Sequence, residues 1–245
     1  MKFIGIIPAR YASTRFPGKP LVDINGKTMI CRVYEQAVKA KHLQEVIVAT
    51  DDERIFLEVK RFGGQVVMTS SSHPSGTDRC FEAAQKLGTS NEDVILNIQG
   101  DEPFIDPLQI ELLCNCFSDA SVEIATLVKK IITPQELENP STPKVIRDVF
   151  GNAIYFSRSI IPHFRGKVIS DWLLQADYFK HIGIYGYRMA TLQKLTALPP
   201  SKLEQIESLE QLRWIENGFK IRTSITDIES VAIDNPEDLL KLKGL

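Results

Sequence analysis

The first half of the chain alternates short apolar, β-type runs with segments whose apolar residues recur every three or four positions, and few folds accept that alternation. A strand that is followed by a helix returns parallel to its predecessor, so repeated units build a mostly parallel sheet covered by helices. Strands are predicted over 3–7, 45–50, 65–69, 93–98 and 122–128. Between them Met29, Ile30, Val33 and Ala37 share one helical face, as do Ile55, Val59 and Phe62, and Gly63-Gly64 supplies a stop. Asp106-Pro107 starts another helix, with an N-cap and then proline at the first helical position.

From about Lys144 the pattern changes. Segments 144–149 and 153–157 flank Phe150-Gly151-Asn152 and read as a hairpin, and 181–188 is a further β-rich run. A charged amphipathic helix is predicted over 202–217, then strands over 220–226 and 230–233 and a terminal helix begun by Asn235-Pro236-Glu237. With no internal repeat, low-complexity tract or clean linker, 1–245 reads as a single domain in which 144–220 forms an antiparallel subdomain.

At 245 residues and 43% apolar content the chain fills a sizeable core. Its net charge of −2 and pI near 6.1 give no general basic field, which argues against a nucleic-acid partner and leaves any anion site to a few placed cations. The opening apolar run meets Pro8 too soon for a signal peptide or membrane span, so a core strand of a cytosolic protein with no membrane insertion is expected. Cys31, Cys80, Cys114 and Cys116 lack Cys-x-x-Cys spacing, and Cys114 and Cys116 point to different faces of the helix expected there. They read as reduced thiols.

The loop after the first strand, Ala9-Arg10-Tyr11-Ala12-Ser13-Thr14-Arg15-Phe16-Pro17-Gly18-Lys19-Pro20, puts three cations among small residues where α/β sheets bind ligands. A solvated basic loop is the plain alternative, but the density of charge at a strand end points to phosphate. The loop is neither a Walker loop nor a Gly-x-Gly-x-x-Gly fingerprint. Asn97-Ile98-Gln99-Gly100-Asp101-Glu102-Pro103 follows another strand, and Asp101 there suits either a plain turn or a Mg²⁺ ligand. Asp234, before Asn235-Pro236, suits either a helix cap or a second ligand.

His73-Pro74-Ser75-Gly76-Thr77-Asp78-Arg79 joins a strand to a helix and reads first as a capped helix start, with hydroxyls and N–H groups also fit for a nucleotide. Strand alternation sends His181, Gly183 and Tyr185 to one face, where His181 and Tyr185 are either structural or part of a cleft. Glu204, Glu207, Glu210 and Gln211 form a polar stripe opposite Leu203, Ile206, Leu209 and Leu212, and most such stripes are solvated.

Six segments together carry a resemblance: 7–21, Ser75-Gly76-Thr77-Asp78-Arg79, Gln99-Gly100-Asp101-Glu102-Pro103, Tyr155-Phe156-Ser157-Arg158, His181-Ile182-Gly183-Ile184-Tyr185-Gly186-Tyr187-Arg188 and Leu209-Glu210-Gln211-Leu212-Arg213. In order and spacing they resemble the bacterial acidic-sugar cytidylyltransferases that activate 3-deoxy-manno-octulosonate (Kdo). The resemblance implies a Rossmann-like α/β nucleotidyltransferase fold, a cytoplasmic homodimer, and transfer of CMP from CTP to Kdo with release of pyrophosphate, for lipopolysaccharide biosynthesis. It implies that Ala9, Arg10, Arg15, Lys19, Ser75, Gly76, Arg79, Gln99 and Asp101 bind CTP, and that Asp101 and Asp234 bind Mg²⁺. Arg10, Lys19, Asp101 and Asp234 would then be the catalytic set, while Arg158, His181, Tyr185, Glu210 and Gln211 contact the sugar acid.

Pro143 ahead of the hairpin and the short connection Phe164-Arg165-Gly166-Lys167 depart from that pattern at the substrate rim. Sialic-acid cytidylyltransferases share the opening loop type, but the 155–158 and 181–188 segments favour Kdo. A non-catalytic nucleotide-binding module would have no need of both carboxylates, and a dehydrogenase would need the absent glycine fingerprint.

Overall fold

The computed structural model describes residues 1–12, 16–229 and 232–242. Strand β1 (Phe3–Ala9) ends at the loop carrying Arg10, and a two-strand antiparallel ribbon follows, β2 (Asp23–Ile24) with β3 (Lys27–Thr28). Then α1 (Met29–Ala37), β4 (Glu45–Thr50), α2 (Glu53–Arg61), β5 (Gln65–Met68), α3 (Gly76–Lys86) and β6 (Val94–Asn97) repeat the strand–helix unit. β1 lies between β4 and β6, parallel to both, and β5 adds in parallel outside β4. Ile6 and Ile7 point to opposite faces of the sheet and are both fully buried, the mark of a central parallel strand covered on two sides. One apolar layer, with Ile7, Val33, Val48, Ile55 and Leu113, packs beneath α1, α2 and α4 (Pro107–Asn115). The other, with Ile6, Ile47, Ala83 and Ile95, packs beneath α3.

Local chemistry starts the helices where the sequence places them. The Asp52, Ser75 and Asp106 side chains accept N–H groups of the first turns of α2, α3 and α4, filling donors that a helix leaves unpaired. Gly63 takes φ +80° just past α2, the left-handed stop that glycine adopts at least cost.

The rest of the chain comprises β7 (Ile124–Lys130), α5 (Pro134–Glu138), β8 (Lys144–Arg147), β9 (Ala153–Ser157), α6 (Trp172–Gln175), β10 (Phe179–Arg188), α7 (Met189–Thr196), α8 (Lys202–Glu207), α9 (Gln211–Glu216) and β11 (Ile221–Ile225). β10 inserts antiparallel between β6 and β7, giving the order β11-β7-β10-β6-β1-β4-β5. The β8–β9 hairpin pairs with the start of β10, so its antiparallel strands continue the main sheet. Gly186 makes the insertion possible: a Cβ there would lie 2.7 Å from the Phe117 ring. The register sets Tyr185 opposite Asn97, so a residue of the second half meets the strand end that leads to Asp101.

The long helix expected over 202–217 does not form. Ser208 takes the left-handed conformation, φ +52°, and divides it into α8 and α9. The polar stripe is correspondingly not solvated: Glu204 pairs with Arg213, Glu207 accepts from Ser157 and from the Arg158 N–H, and Ile206 is 78% exposed. A helix break changes which face turns inward, and periodicity over an unbroken window cannot register it. The helix expected to hold both Cys114 and Cys116 ends at Asn115, and Cys116 lies in a following 3₁₀ turn. The terminal helix is also 3₁₀, Pro236–Leu242. Ser230 and Val231 of the expected strand 230–233 lie outside the described residues.

Candidate active site

The β1 loop folds back on itself at Gly18, whose N–H donates to the Tyr11 carbonyl at 2.9 Å. Gly18 has φ +72° and lies against the Tyr11 ring; that ring in turn carries the Arg54 guanidinium 3.3 Å from its centroid. The turn brings Lys19 back beneath the sheet edge, only 13% exposed, with its ammonium 2.7 Å from Asp101 and 3.6 Å from Asp234. Arg10 remains exposed at the lip. Arg15 lies outside the described residues.

Asp101 reaches this point because Gly100 precedes it. A Cβ on Gly100 would lie 2.9 Å from the Pro8 carbonyl oxygen, so only glycine lets the turn after β6 cross the end of β1. From the far end of the chain Ile233 donates its N–H to the Asp101 carbonyl at 2.9 Å and is itself buried. Two carboxylates separated by 133 residues of sequence, Asp101 and Asp234, thus converge on one ammonium.

The opposite wall is the start of α3. Ser75 accepts the Asp78 N–H and donates its hydroxyl to the Asp78 carboxylate at 2.6 Å, while Gly76 lies against Pro8. Arg79 is 4% exposed and fixed by the Thr69 hydroxyl at 2.6 Å and Asp51 at 3.2 Å. Between the walls is a cavity of about 230 Å³ lined by Ala9, Arg10, Lys19, Ser75, Gly76, Arg79, Gln99 and Asp101, together with Pro8, Pro20, His73, Pro74 and Gly100. Every residue expected around the nucleotide other than Arg15 therefore lines one space. The space has a cationic lip at Arg10, a helix N-terminus at Gly76 and the Asp101 carboxylate beside Lys19, features suited to an anionic ligand.

Of the residues expected around an acid sugar, His181, Tyr185, Glu210 and Gln211 form a second polar cluster that reaches α3 through Thr77. His181 and Tyr185 share a face of β10, ring centroids 5.2 Å apart. Burial pushes the His181 imidazole down to about 3, so it is neutral, and it shares a 3.0 Å hydrogen bond with the Thr126 hydroxyl. Glu210 accepts from Thr77 at 2.7 Å; burial raises its carboxyl above the ordinary value, against the Thr77 and Ser75 hydroxyls. The Tyr185 and Tyr187 hydroxyls and Gln211 Nε2 are buried with no hydrogen-bond partner among the described residues, polar atoms that normally find one. Tyr185 and Tyr187 stack at 5.9 Å, and each meets the Trp214 ring edge-on.

Arg158 takes a different place. Its guanidinium donates to the carbonyls of Glu207, Ser208 and Pro140, holding together the break between α8 and α9. Thr126 escapes sequence reasoning, and Glu207 and Thr77 stand in segments singled out from sequence without their partners, because each of the three acts through a partner at least 49 residues distant. His73 falls in a segment singled out from sequence, but its partner Glu82 on α3 becomes evident only once the helix start is placed.

The family model described as cytidylyltransferase matches residues 4–223, which include the whole β1 loop, the turn after β6 and the start of α3. The chain belongs to the cytidylyltransferase family. As a member it is a nucleotidyltransferase, and its relatives narrow the comparison. The chain is 59% identical over 245 residues to the 3-deoxy-manno-octulosonate cytidylyltransferase of Parabacteroides distasonis, covering 98% of this chain and 96% of that one. It is 57% identical over 242 residues to the protein of the same name in Bacteroides thetaiotaomicron, covering 98% and 96%. Its fold matches a solved CMP:2-keto-3-deoxy-manno-octonic acid synthetase complexed with CTP, with TM-score 0.92, 43% identity, and 100% and 98% of the two chains covered.

Proposed function

We propose that this cytidylyltransferase transfers CMP from CTP to Kdo, forming CMP-Kdo and pyrophosphate. The observation that carries the reading is the convergence of Asp101 and Asp234 on Lys19, where Lys19 and Asp101 line a cavity whose other wall is the N-terminus of α3. The matching chain complexed with CTP and the relatives named for Kdo supply the substrates.

The reaction joins the anomeric hydroxyl oxygen of the sugar to the α-phosphorus of CTP, and the bond from that phosphorus to the pyrophosphate oxygen breaks in line. No protein nucleophile takes part. Transfers of this kind are accelerated chiefly by positioning and by neutralising charge on the phosphoryl oxygens. Arg10 and Lys19, with Arg15, steady the triphosphate and the leaving pyrophosphate. The Ser75 hydroxyl, the backbone of Gly76, Arg79 and Gln99 surround the nucleoside.

Asp101 and Asp234 fit Mg²⁺: they are hard, anionic oxygen donors brought to one point, and a small dication binds through one or two carboxylates plus substrate phosphates. When bound, the ion neutralises phosphate charge and polarises the α-phosphoryl group. Until then the Lys19 ammonium keeps the two carboxylates from repelling one another.

On the acceptor side His181 offers a neutral ring, Tyr185 and Gln211 an unsatisfied polar atom each, and Glu210 its carboxyl, to a polyhydroxylated acid. Arg158 exchanges neutral carbonyl acceptors for the sugar carboxylate, a stronger charge-assisted bond. We also infer a homodimer of the cytoplasm serving lipopolysaccharide biosynthesis, with the 144–220 region helping to form the interface. The β8–β9 hairpin there exposes Val149, Phe150 and Ile154. Among the described residues no helix is long and apolar enough to cross a membrane.

A pyrophosphate-release assay across nucleotides and acidic sugars tests the reading. CTP with Kdo should give the highest kcat/KM, and faster turnover with UTP or ATP would overturn the nucleotide assignment.

A further inference from the structure

The residue ahead of the α3 start is anchored in a way that the helix cap does not require. His73 is 19% exposed in its side chain, lines the nucleotide cavity, and presents Nε2 to the Glu82 carboxylate one helical stretch further on. Glu82 is itself fixed from two other directions, by the Ser70 N–H at 2.8 Å and the Lys86 ammonium at 2.7 Å. Burial alone would raise its carboxyl, but Lys86, Ser70 and His73 together bring it down to about 2, so it is ionised and only accepts. In the tautomer whose Nε2–H donates to the carboxylate, Nδ1 is the remaining polar atom of the ring and an acceptor. The contact with Glu82 is made through Nε2 and leaves Nδ1 unengaged by that carboxylate.

Position along the cavity decides what that acceptor meets. Lys19, Asp101 and Asp234 mark the phosphate end, and the nucleoside accordingly extends towards the start of α3, where His73 stands with Ser75 and Arg79. A pyrimidine edge differs there in one respect: cytosine presents an exocyclic amine, a donor, where uracil presents a carbonyl, an acceptor. We propose that His73, held by Glu82, is a specificity-determining residue that accepts from the cytosine amine and so selects CTP over UTP. A carbonyl facing an acceptor leaves two buried lone-pair atoms opposed, and an analogue that lacks the matching donor is rejected far more strongly than one that merely differs in size. Glu82 acts through His73 as a positioning residue, since it fixes which ring nitrogen carries the proton.

This assignment rests on the cavity holding a nucleotide, and the test separates the two. Calorimetric titration of CTP and of UTP, each with Mg²⁺, into the full-length protein and its variants reads binding without turnover. The parent should bind CTP at least about tenfold more tightly than UTP. His73→Leu should lose that ratio by weakening CTP while UTP stays within about threefold, and His73→Asn, which keeps a carbonyl acceptor, should recover part of it. Glu82→Gln should reduce the ratio less than His73→Leu does. Thermal melts of all the variants report folding alongside. Equal weakening of CTP and UTP in His73→Leu would mean a phosphate contact and overturn the proposal, as would an unchanged ratio with a lowered melting temperature. Equal affinity for the two nucleotides in the parent overturns it while the nucleotide cavity stands, and binding of neither overturns both.

Discussion

The Thr77 hydroxyl donates to the Glu210 carboxylate at 2.7 Å, joining residues 133 positions apart at the seam between the nucleotide cavity and the second polar cluster. Thr77 lies in the first turn of α3, beside two residues that line the cavity, and is 3% exposed. Loss of a donor to a largely buried carboxyl costs about 1–3 kcal/mol. Thr77→Val should lower stability by that amount in urea denaturation, Thr77→Ser should restore most of it, and both readings need no substrate.

Glu210 titrates above the ordinary 4.5 because of burial, against the pull of Thr77 and Ser75. In the window above 4.5 the folded chain holds a proton that the unfolded chain has released, so this group's stabilisation is complete below pH 4.5 and disappears as pH rises through the raised value. Glu210→Gln should remove that fall. Parallel stability–pH curves for the variant and its parent would show that the carboxyl is not the source.

Glu82 has the opposite sign. Its folded value of about 2 lies below the ordinary 4.5, so its contribution is present above pH 4.5 and is lost as pH falls towards 2. The side chain is 21% exposed, and solvent screening reduces the effect to on the order of 1–2 kcal/mol. Glu82→Gln should be less stable than the parent at pH 7 and equal to it near pH 2, as measured by denaturant midpoints across that range.

Asp101→Asn and Asp234→Asn should each cut pyrophosphate release from CTP and Kdo by orders of magnitude, since each removes charge from the pair that faces Lys19. Melting temperatures should stay close to the parent's, because Ile233 bonds to the backbone carbonyl of Asp101 and not to its side chain. Near-normal turnover with saturating Mg²⁺ would remove Asp101 from the catalytic set.

Gly100→Ala places a methyl 2.9 Å from the Pro8 carbonyl oxygen, a backbone atom that no rotamer change can move, so the turn itself must shift. Overpacking of this kind costs about 1–3 kcal/mol. Displacing Asp101 should also lower kcat by more than about tenfold, because catalytic geometry tolerates little misplacement. Crystals of the variant with CTP would show whether the turn has moved.

The parallel half of the sheet was legible in the sequence because its information is local. Ile6-Ile7, Val46–Ala49 and Val94–Leu96 are apolar runs bounded by turn residues, and Ser75 and Asp106 cap the helices that follow them. Charge density at the end of β1 likewise marked the cavity, since Arg10 and Lys19 lie within ten residues of each other on a strand end.

What only the tertiary structure decided depends on pairs distant along the chain. Lys19 between Asp101 and Asp234, Tyr185 opposite Asn97, and Thr77 on Glu210 have no local signature, since no spacing in sequence encodes which strand β10 joins. The break at Ser208 shows the same limit from the other side. Residues 202–217 have the periodicity of one helix, yet Arg158 from β9's end and Arg213 reward the turn with hydrogen bonds and an ion pair that exist only after folding. The sequence by itself determined the strand–helix repeat of the first half, the caps at Ser75 and Asp106 and the cationic loop, through propensity and hydrophobic pattern acting over a few residues. The sheet order determined the site, because it is the insertion of β10 beside β6 that sets the second half of the chain against the nucleotide cavity.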